Sequence, residues 1–342
     1  MTAATEIEKV VGRSATEVAG HDAHDVEVSV CIPNWNCREL VRSCLESLLH
    51  QPQGVALEVV VVDNGSTDGA PEMIAAEFPE VTLIRNAAND GFSRANNMAA
   101  SNARGRYLFF LNNDTVVPAN CLARLLAYAK EHPEAGMFGP RLRNSDGSFQ
   151  ISYRRRPSVA AMLHRTLLLR WTGLCRRAYR NYRRESYDPS YRGEIDLLMG
   201  AAVFMPRSVF IQCGGWDEEF AFGCEDLEFA VRVGSRYAVH FCPDVDVIHH
   251  GRASSRLNAG FCTENLAIGW IHSLRKTGAS RASLLAYKMI VTLDSPIQLF
   301  ATLAQWTARR LGGRRAKAAK SRIALIGVAH FLRRSLPKFW RA

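Results

Sequence analysis

Leu57–Gly69 reads LEVVVVDNGSTDG. Four successive valines make both faces of an extended segment apolar, as a central strand of a parallel sheet requires. The run stops at Asp63, where Asn64-Gly65-Ser66-Thr67-Asp68-Gly69 supplies turn chemistry and Pro71 follows in the first turn of a helix. Upstream, VEVSVCI (26–32) is a β-branched strand closed by Pro33, and Leu40, Val41, Cys44, Leu45 and Leu48 carry helical spacing. Downstream come a short strand over 81–84, a helix over 91–104 and the strand YLFFL (107–111), which ends at Asn112-Asn113-Asp114. This strand–helix alternation predicts a doubly wound α/β sheet, whose ligands sit beyond the carboxyl ends of the strands. The polar clusters at 34–36, 63–68 and 112–114 fall at those ends. The second half is less regular, with a strand expected around 194–205 and a loop-to-helix segment over 214–233.

The 342 residues include 43 Lys+Arg against 33 Asp+Glu, a formal charge of +10, and 47% are hydrophobic. That balance excludes a disordered or fibrous chain and points to an anionic partner. The charge is concentrated: residues 270–342 hold fifteen bases and one acid, Asp294, and residues 154–184 hold ten arginines and no acid. The remainder is net acidic, which is unlike a basic coat for nucleic acid. Nine cysteines with no C-x-x-C pair predict free, buried thiols in a reducing compartment. No apolar run reaches the roughly 18 residues of a spanning helix, so the expected relation to a membrane is peripheral.

Four clusters carry candidate chemistry. Asp63, at a strand end, can accept a hydrogen bond from a pyrimidine ring N–H, while an Asx turn accounts for the same residues. Asn112 and Asp114 point the same way from an extended segment and could hold a hard divalent cation against a diphosphate; a polar turn is the alternative. In GGWDEEFAFGCEDLEFAVRV (214–233), Glu225-Asp226 opens a helix, where the dipole favours ionised carboxylates, ordinary helix-start acids being the rival reading. His249 and His250 close PDVDVIHHG (243–251), and at most one of two adjacent histidines faces a given site.

Taken in order, VSVCIPNWN (28–36), VVVVDNGSTDG (59–69), NDGFSRANN (89–97), LFFLNND (108–114), MGAAVFMPRSVF (199–210), the 214–233 segment and CPDVDVIHHG (242–251) resemble a family 2 glycosyltransferase. The LNND and GGWDEEF…ED forms resemble its rhamnosyltransferase-like branch. The resemblance implies the GT-A fold, a Rossmann-like mixed sheet flanked by helices, over 27–268. A tail (1–26) would precede it and a basic helical extension (269–342) would follow.

The same resemblance implies roles. Pro33, Asn34, Asp63, Asn89, Gly91, Arg94, Asn112 and Asn113 would bind the nucleotide sugar. Asp114 and His249 would hold Mg²⁺ or Mn²⁺, Asn112 standing where the family has its first metal-binding Asp. Asp226 would be the catalytic base, and Trp216, Asp217 and Glu225 would meet the acceptor. The expected activity is inverting transfer of a sugar, with L-rhamnose foremost, from a nucleoside-diphosphate donor to a cell-surface glycan or lipid-linked saccharide. UDP-GlcNAc, UDP-galactose or UDP-glucose is the alternative donor, and a catalytically weak nucleotide or glycan sensor is the alternative of another class. A nucleotide-cofactor oxidoreductase is disfavoured, since no G-x-G-x-x-G follows the first strand. The basic, apolar-patterned segments 154–184 and 323–340 are expected to lie on an anionic membrane surface, placing the protein at the inner face of the cytoplasmic membrane, with no nucleic-acid partner.

Overall fold

The computed structural model describes residues 26–183, 187–251 and 259–342. Residues 1–25 of the expected tail (1–26) and the last arginine of the 154–184 run lie outside the described residues. The chain divides into two compact units. The first comprises the described residues up to Tyr153 together with Asp188–Ala221 and Phe229–Gly251. The second comprises the described residues of Arg154–Tyr187, Phe222–Glu228 and Arg252–Ala342. The arginine-rich segment thus packs with the C-terminal helices, a grouping set by tertiary contact and not by chain order.

A nine-stranded sheet organises the first unit. Its strands are β1 (Val28–Asn34), β2 (Leu57–Asp63), β3 (Thr82–Arg85), β4 (Tyr107–Leu111), β5 (Thr115–Val116), β6 (Ala135–Arg143), β7 (Gly193–Glu194), β8 (Ala202–Pro206) and β9 (Ala238–His249). The order is β3-β2-β1-β4-β8-β6-β9-β5, with β7 beside β9. β1 runs parallel to β2 and β4, and β8 is antiparallel to β4 and β6, so the sheet is mixed. The strand expected around 194–205 resolves into separate short segments. Val59–Val62 are buried on both faces, which explains their unbroken apolar run.

Helices α1 (Arg38–Leu49), α2 (Ala70–Glu77), α3 (Phe92–Ser101) and α4 (Cys121–Glu131) belong to this unit. Val41, Cys44, Leu45 and Leu48 of α1 form the stripe buried in the core, as their spacing predicts. The chain continues through α5 (Val159–Leu163), α6 (Leu167–Thr172), α7 (Arg176–Arg183), α8 (Arg207–Gln212) and α9 (Glu225–Val233). It closes with α10 (Ala259–Lys276), α11 (Arg281–Leu311), α12 (Arg315–His330), a π-helical turn and α13 (Leu336–Arg341).

In the second unit the carboxylate of Asp294, fully buried in the middle of α11, accepts the backbone N–H groups of Leu167 (3.1 Å) and Leu168 (2.9 Å). It thereby caps the amino end of α6, where the helix dipole and unpaired donors favour an anion. Phe331 and Phe339 are buried there, so part of the apolar face expected on lipid over 323–340 is core. Leu285, Met289, Leu293, Ile297, Phe300 and Leu303, spaced every three or four residues along α11, are exposed instead. No helix among the described residues is long and apolar enough to cross a membrane. All nine cysteines are free and seven are buried, with burial pushing the Cys44 and Cys121 thiols up to about 12.

Candidate active site

The carboxyl ends of β2, β1 and β4 lie side by side, and their terminal side chains are joined. Asn34, paired in register with Asp63, donates through Nδ2 to Asp63 Oδ1 at 2.8 Å. Its Oδ1 accepts from Asn113 Nδ2 at 2.7 Å. Asp63 also accepts from the backbone N–H (2.8 Å) and hydroxyl (2.6 Å) of Ser66. Three donors therefore reach a carboxylate that offers about four acceptor sites. The Asx turn weighed from the sequence is present, and it fixes the backbone of 64–66. Pro33 precedes Asn34, opposite Val62 of β2.

The loop after β3 joins the same region. Asn64 Nδ2 donates to the Gly91 carbonyl at 3.1 Å, and Asn89 Oδ1 accepts the Gly91 N–H at 2.9 Å. Gly91 has φ +91°, and a Cβ there would stand 2.8 Å from the Ala221 carbonyl oxygen, so only glycine fits without moving backbone.

Past β4 the second cluster forms. His249 Nε2 lies 3.2 Å from Asp114 Oδ1 and 3.4 Å from Asn112 Nδ2. Its other nitrogen, Nδ1, is 3.0 Å from Gln150 Oε1, an oxygen that can only accept. Gln150 Nε2 donates to the His249 carbonyl (2.6 Å) and to Asn144 Oδ1 (2.8 Å), which settles the amide orientation. Nδ1 therefore carries a hydrogen, and in the neutral tautomer Nε2 presents a lone pair to the Asp114 carboxylate. Two acceptors 3.2 Å apart require a proton or a cation between them. The donor set, one carboxylate, one imidazole and a neighbouring amide, fits a divalent ion. Gln150 was not legible in the sequence: it sits in the 144–150 hairpin and meets β9 only in the folded chain.

The description Glycosyl transferase family 2 matches residues 29–209, just over half of the chain and every strand end described except that of β9. The chain belongs to glycosyltransferase family 2. Over 208 residues it is 30% identical to an N-acetylglucosaminyl-diphospho-decaprenol L-rhamnosyltransferase of Mycobacterium tuberculosis, the match covering 57% of this chain and 66% of that protein. Over 243 residues it is 27% identical to the O-antigen biosynthesis protein RfbC of Myxococcus xanthus, covering 68% of this chain and 18% of that one. The mannosyltransferase PcManGT of Pyrobaculum calidifontis, solved with GDP-Man and Mn²⁺, superposes with a TM-score of 0.52 at 20% identity, covering 99% of this chain and 95% of its own. The fold is GT-A.

One expected residue of this family 2 member, Trp216, sits elsewhere than its motif suggests. Trp216 is 2% exposed, packed on Phe92, Phe110 and Phe229 with ring centroids 4.6–5.7 Å away. Its backbone is clamped by the Asn97 amide at 2.8 Å on both N–H and C=O. Aromatic packing thus makes Trp216 an anchor beneath its loop, correcting the expectation of a sugar-docking face. Asp217 closes a turn by accepting the Glu219 N–H at 3.0 Å. Arg94 is exposed and pairs with Glu218 at 3.3 Å, an arrangement with little energetic hold.

Glu225 and Asp226 belong to the second unit, in the first turn of α9. Before them Gly223 and Cys224 both have positive φ, +83° and +74°, a costly conformation for the cysteine. This turn rests on α10, where a Cβ at Gly269 would lie 2.5 Å from the Gly223 carbonyl oxygen. Asp226 Oδ1 accepts the Leu227 N–H at 2.9 Å. Glu225 Oε2 is closed off from solvent without a hydrogen-bond partner. Burial and then the neighbouring Asp226 push the Glu225 carboxyl up to about 8.

Proposed function

We propose that this protein transfers a sugar, L-rhamnose foremost, from a nucleoside-diphosphate donor to a lipid-linked saccharide, with inversion at the anomeric carbon. The joined strand ends carry the reading: Asn34, Asp63 and Asn113 form one hydrogen-bonded chain, and Asp114 faces His249 across a gap that needs positive charge. The mycobacterial relative, by its name, is an L-rhamnosyltransferase acting on a diphospho-decaprenol saccharide, which supports both donor and acceptor class. The chain spans 66% of that relative's length, so donor and acceptor are assigned here as a proposal.

Pro33, Asn34, Asn89, Gly91 and Arg94 would line the nucleotide, with Asp63 holding the 64–66 backbone against the base through its remaining lone pair. Arg94 leaves Glu218 at little cost when a phosphate or ribose offers a better partner. Asp114, His249 and Asn112 would hold Mg²⁺ or Mn²⁺, which when bound supplies positive charge for the departing diphosphate. Gln150 keeps the His249 ring in the ligating tautomer. Asp226 takes the proton of the acceptor hydroxyl as that oxygen attacks the anomeric carbon. The bond to the diphosphate oxygen breaks on the opposite side, and the nucleoside diphosphate leaves with the electron pair. Glu225, its carboxyl pushed up by burial and by Asp226, would meet the acceptor together with Asp217.

We also assign the exposed stripe of α11 and the exposed Trp171 and Leu174 to contact with an anionic lipid surface, among arginines of α6 and α7. A peripheral place on the inner face of the cytoplasmic membrane follows for an enzyme drawing on a cytosolic donor and a lipid-linked acceptor. The deciding experiment is a panel of nucleotide sugars read by nucleoside-diphosphate release, with and without a polyprenyl-diphosphate saccharide. Release from dTDP-L-rhamnose that depends on the acceptor is expected. Turnover with UDP-GlcNAc or UDP-hexoses alone reassigns the donor, and binding without product from any donor leaves a sensor.

A further inference from the structure

β9 carries a histidine near each end, and the second one has company of its own. His249 closes the carboxyl end, while His240 is the third residue from the amino end, about 30 Å away along an extended strand. His132 and Glu134 lie on the connection from α4 to β6, whose backbone is tied to the same place: the Ala238 N–H donates to the Glu134 carbonyl at 3.2 Å. Glu134 Oε1 is 3.3 Å from His132 Nδ1 and 3.7 Å from His240 Nε2, and the three ligating atoms lie within 4.8 Å of one another.

We propose that His132, Glu134 and His240 bind a zinc ion that clasps the α4–β6 connection to β9. Two ligands at 2.0–2.1 Å from a tetrahedral ion stand about 3.3 Å apart, so the observed separations need only small side-chain adjustments. His240 is buried, and its Nδ1 lies 3.5 Å from the Tyr128 hydroxyl. When that nitrogen donates to Tyr128, Nε2 is left as the lone pair facing the metal position, the support that ligating imidazoles usually have. The His132 ring packs at a tilt against Tyr128 (4.4 Å) and His240 (4.8 Å), which limits its rotamers. Glu134 is exposed, leaving the fourth position to water. Glu194 of β7 lies opposite His240 in register and adds negative charge beside the site. Two imidazoles and a carboxylate are a zinc donor set, whereas the Asp114 site, richer in oxygen, suits Mg²⁺ or Mn²⁺. The clasp is structural and independent of sugar transfer.

The test strips the full-length protein of metal and titrates it with Zn²⁺ alone, with Co²⁺ as an optical probe. Wild type should bind one zinc that the variants lack, show the visible bands of tetrahedral Co²⁺, and gain melting temperature with Zn²⁺. His132→Gln and Glu134→Gln, both at partly exposed positions that the fold tolerates, should each weaken zinc by at least about tenfold and abolish the Co²⁺ bands. Their response to Mn²⁺ with nucleoside diphosphate should be unchanged. Wild type without micromolar zinc binding overturns the proposal. So does zinc binding of equal strength in both variants, which would place the ion at Asp114 and His249 or elsewhere.

Discussion

Asp63 closes a strand and Glu225 opens a helix, both acids beside polar turns, and their surroundings are opposite. At the strand ends of the first unit Asp63 receives three donors, and its neighbours Asn34 and Asn113 are paired in turn. In the α9 turn of the second unit Glu225 keeps an enclosed oxygen with no donor, after two residues in left-handed backbone. The same unit leaves a row of apolar side chains on α11 uncovered. One region satisfies its polar groups internally. The other is poised toward groups that a substrate or a surface would have to supply.

The largest expected break comes at the poised turn. Asp226→Asn should lower turnover about 10³-fold while donor affinity stays within a factor of two, read by single-turnover kinetics and calorimetry. Unchanged turnover would remove Asp226 as the base and Glu225 from its supporting role. Next is the uncovered row. Leu293→Glu with Phe300→Glu should cut partitioning onto phosphatidylglycerol vesicles about 100-fold, since each buried side chain of this size is worth about 1.5–3 kcal/mol. Equal co-sedimentation would mean that α11 faces something other than lipid.

A smaller effect probes the satisfied region. Gln150→Leu leaves His249 Nδ1 unpaired and frees its tautomer, so Mn²⁺-dependent donor binding should weaken about tenfold to hundredfold. Binding in the presence of EDTA should not change. A loss of the same size in EDTA would make Gln150 a folding residue only.

The smallest effect probes Glu225 through pH. The Glu225 carboxyl, raised to about 8 by burial and Asp226, binds its proton more tightly folded than unfolded. Its stabilising contribution is complete below the ordinary carboxylate range and is lost as pH rises toward 8. Urea midpoints should therefore fall between pH 5 and pH 8 more steeply in wild type than in Glu225→Gln. Parallel curves would show that Glu225 is ionised in the folded protein.

Strands β1, β2 and β4 were legible because burial on both faces writes itself as apolar runs rich in valine and phenylalanine. Asn34, Asp63 and Asn112–Asp114 could be singled out because each follows such a run, and strand ends are where GT-A ligands gather. Gln150 left no trace, since its partners are 99 and 6 residues away and no spacing marks it. Trp216 was misread because glycines and acids surround it in sequence, while its real neighbours are Phe92, Phe110 and Phe229. Amphipathic spacing showed that the C-terminal helices have apolar faces. What covers each face is a tertiary fact, and Phe331 and Phe339 turned out to be core while Phe300 is bare.

Asp294 has a consequence for how this protein would respond to salt. It is the sole acid among fifteen bases in residues 270–342, yet it is wholly enclosed and spent on two backbone amides and the Gln298 side chain. It offers no counter-charge at the surface, and although Lys338 is paired with Glu264 at 2.6 Å, the field outside these helices is strongly positive. Adhesion driven by such a field decays with the ionic atmosphere, whose reach contracts from about 10 Å at 0.1 M to about 3 Å at 1 M. An enzyme held this way would wash off with brine while its grip on nucleotide, set in a satisfied network, would hardly notice.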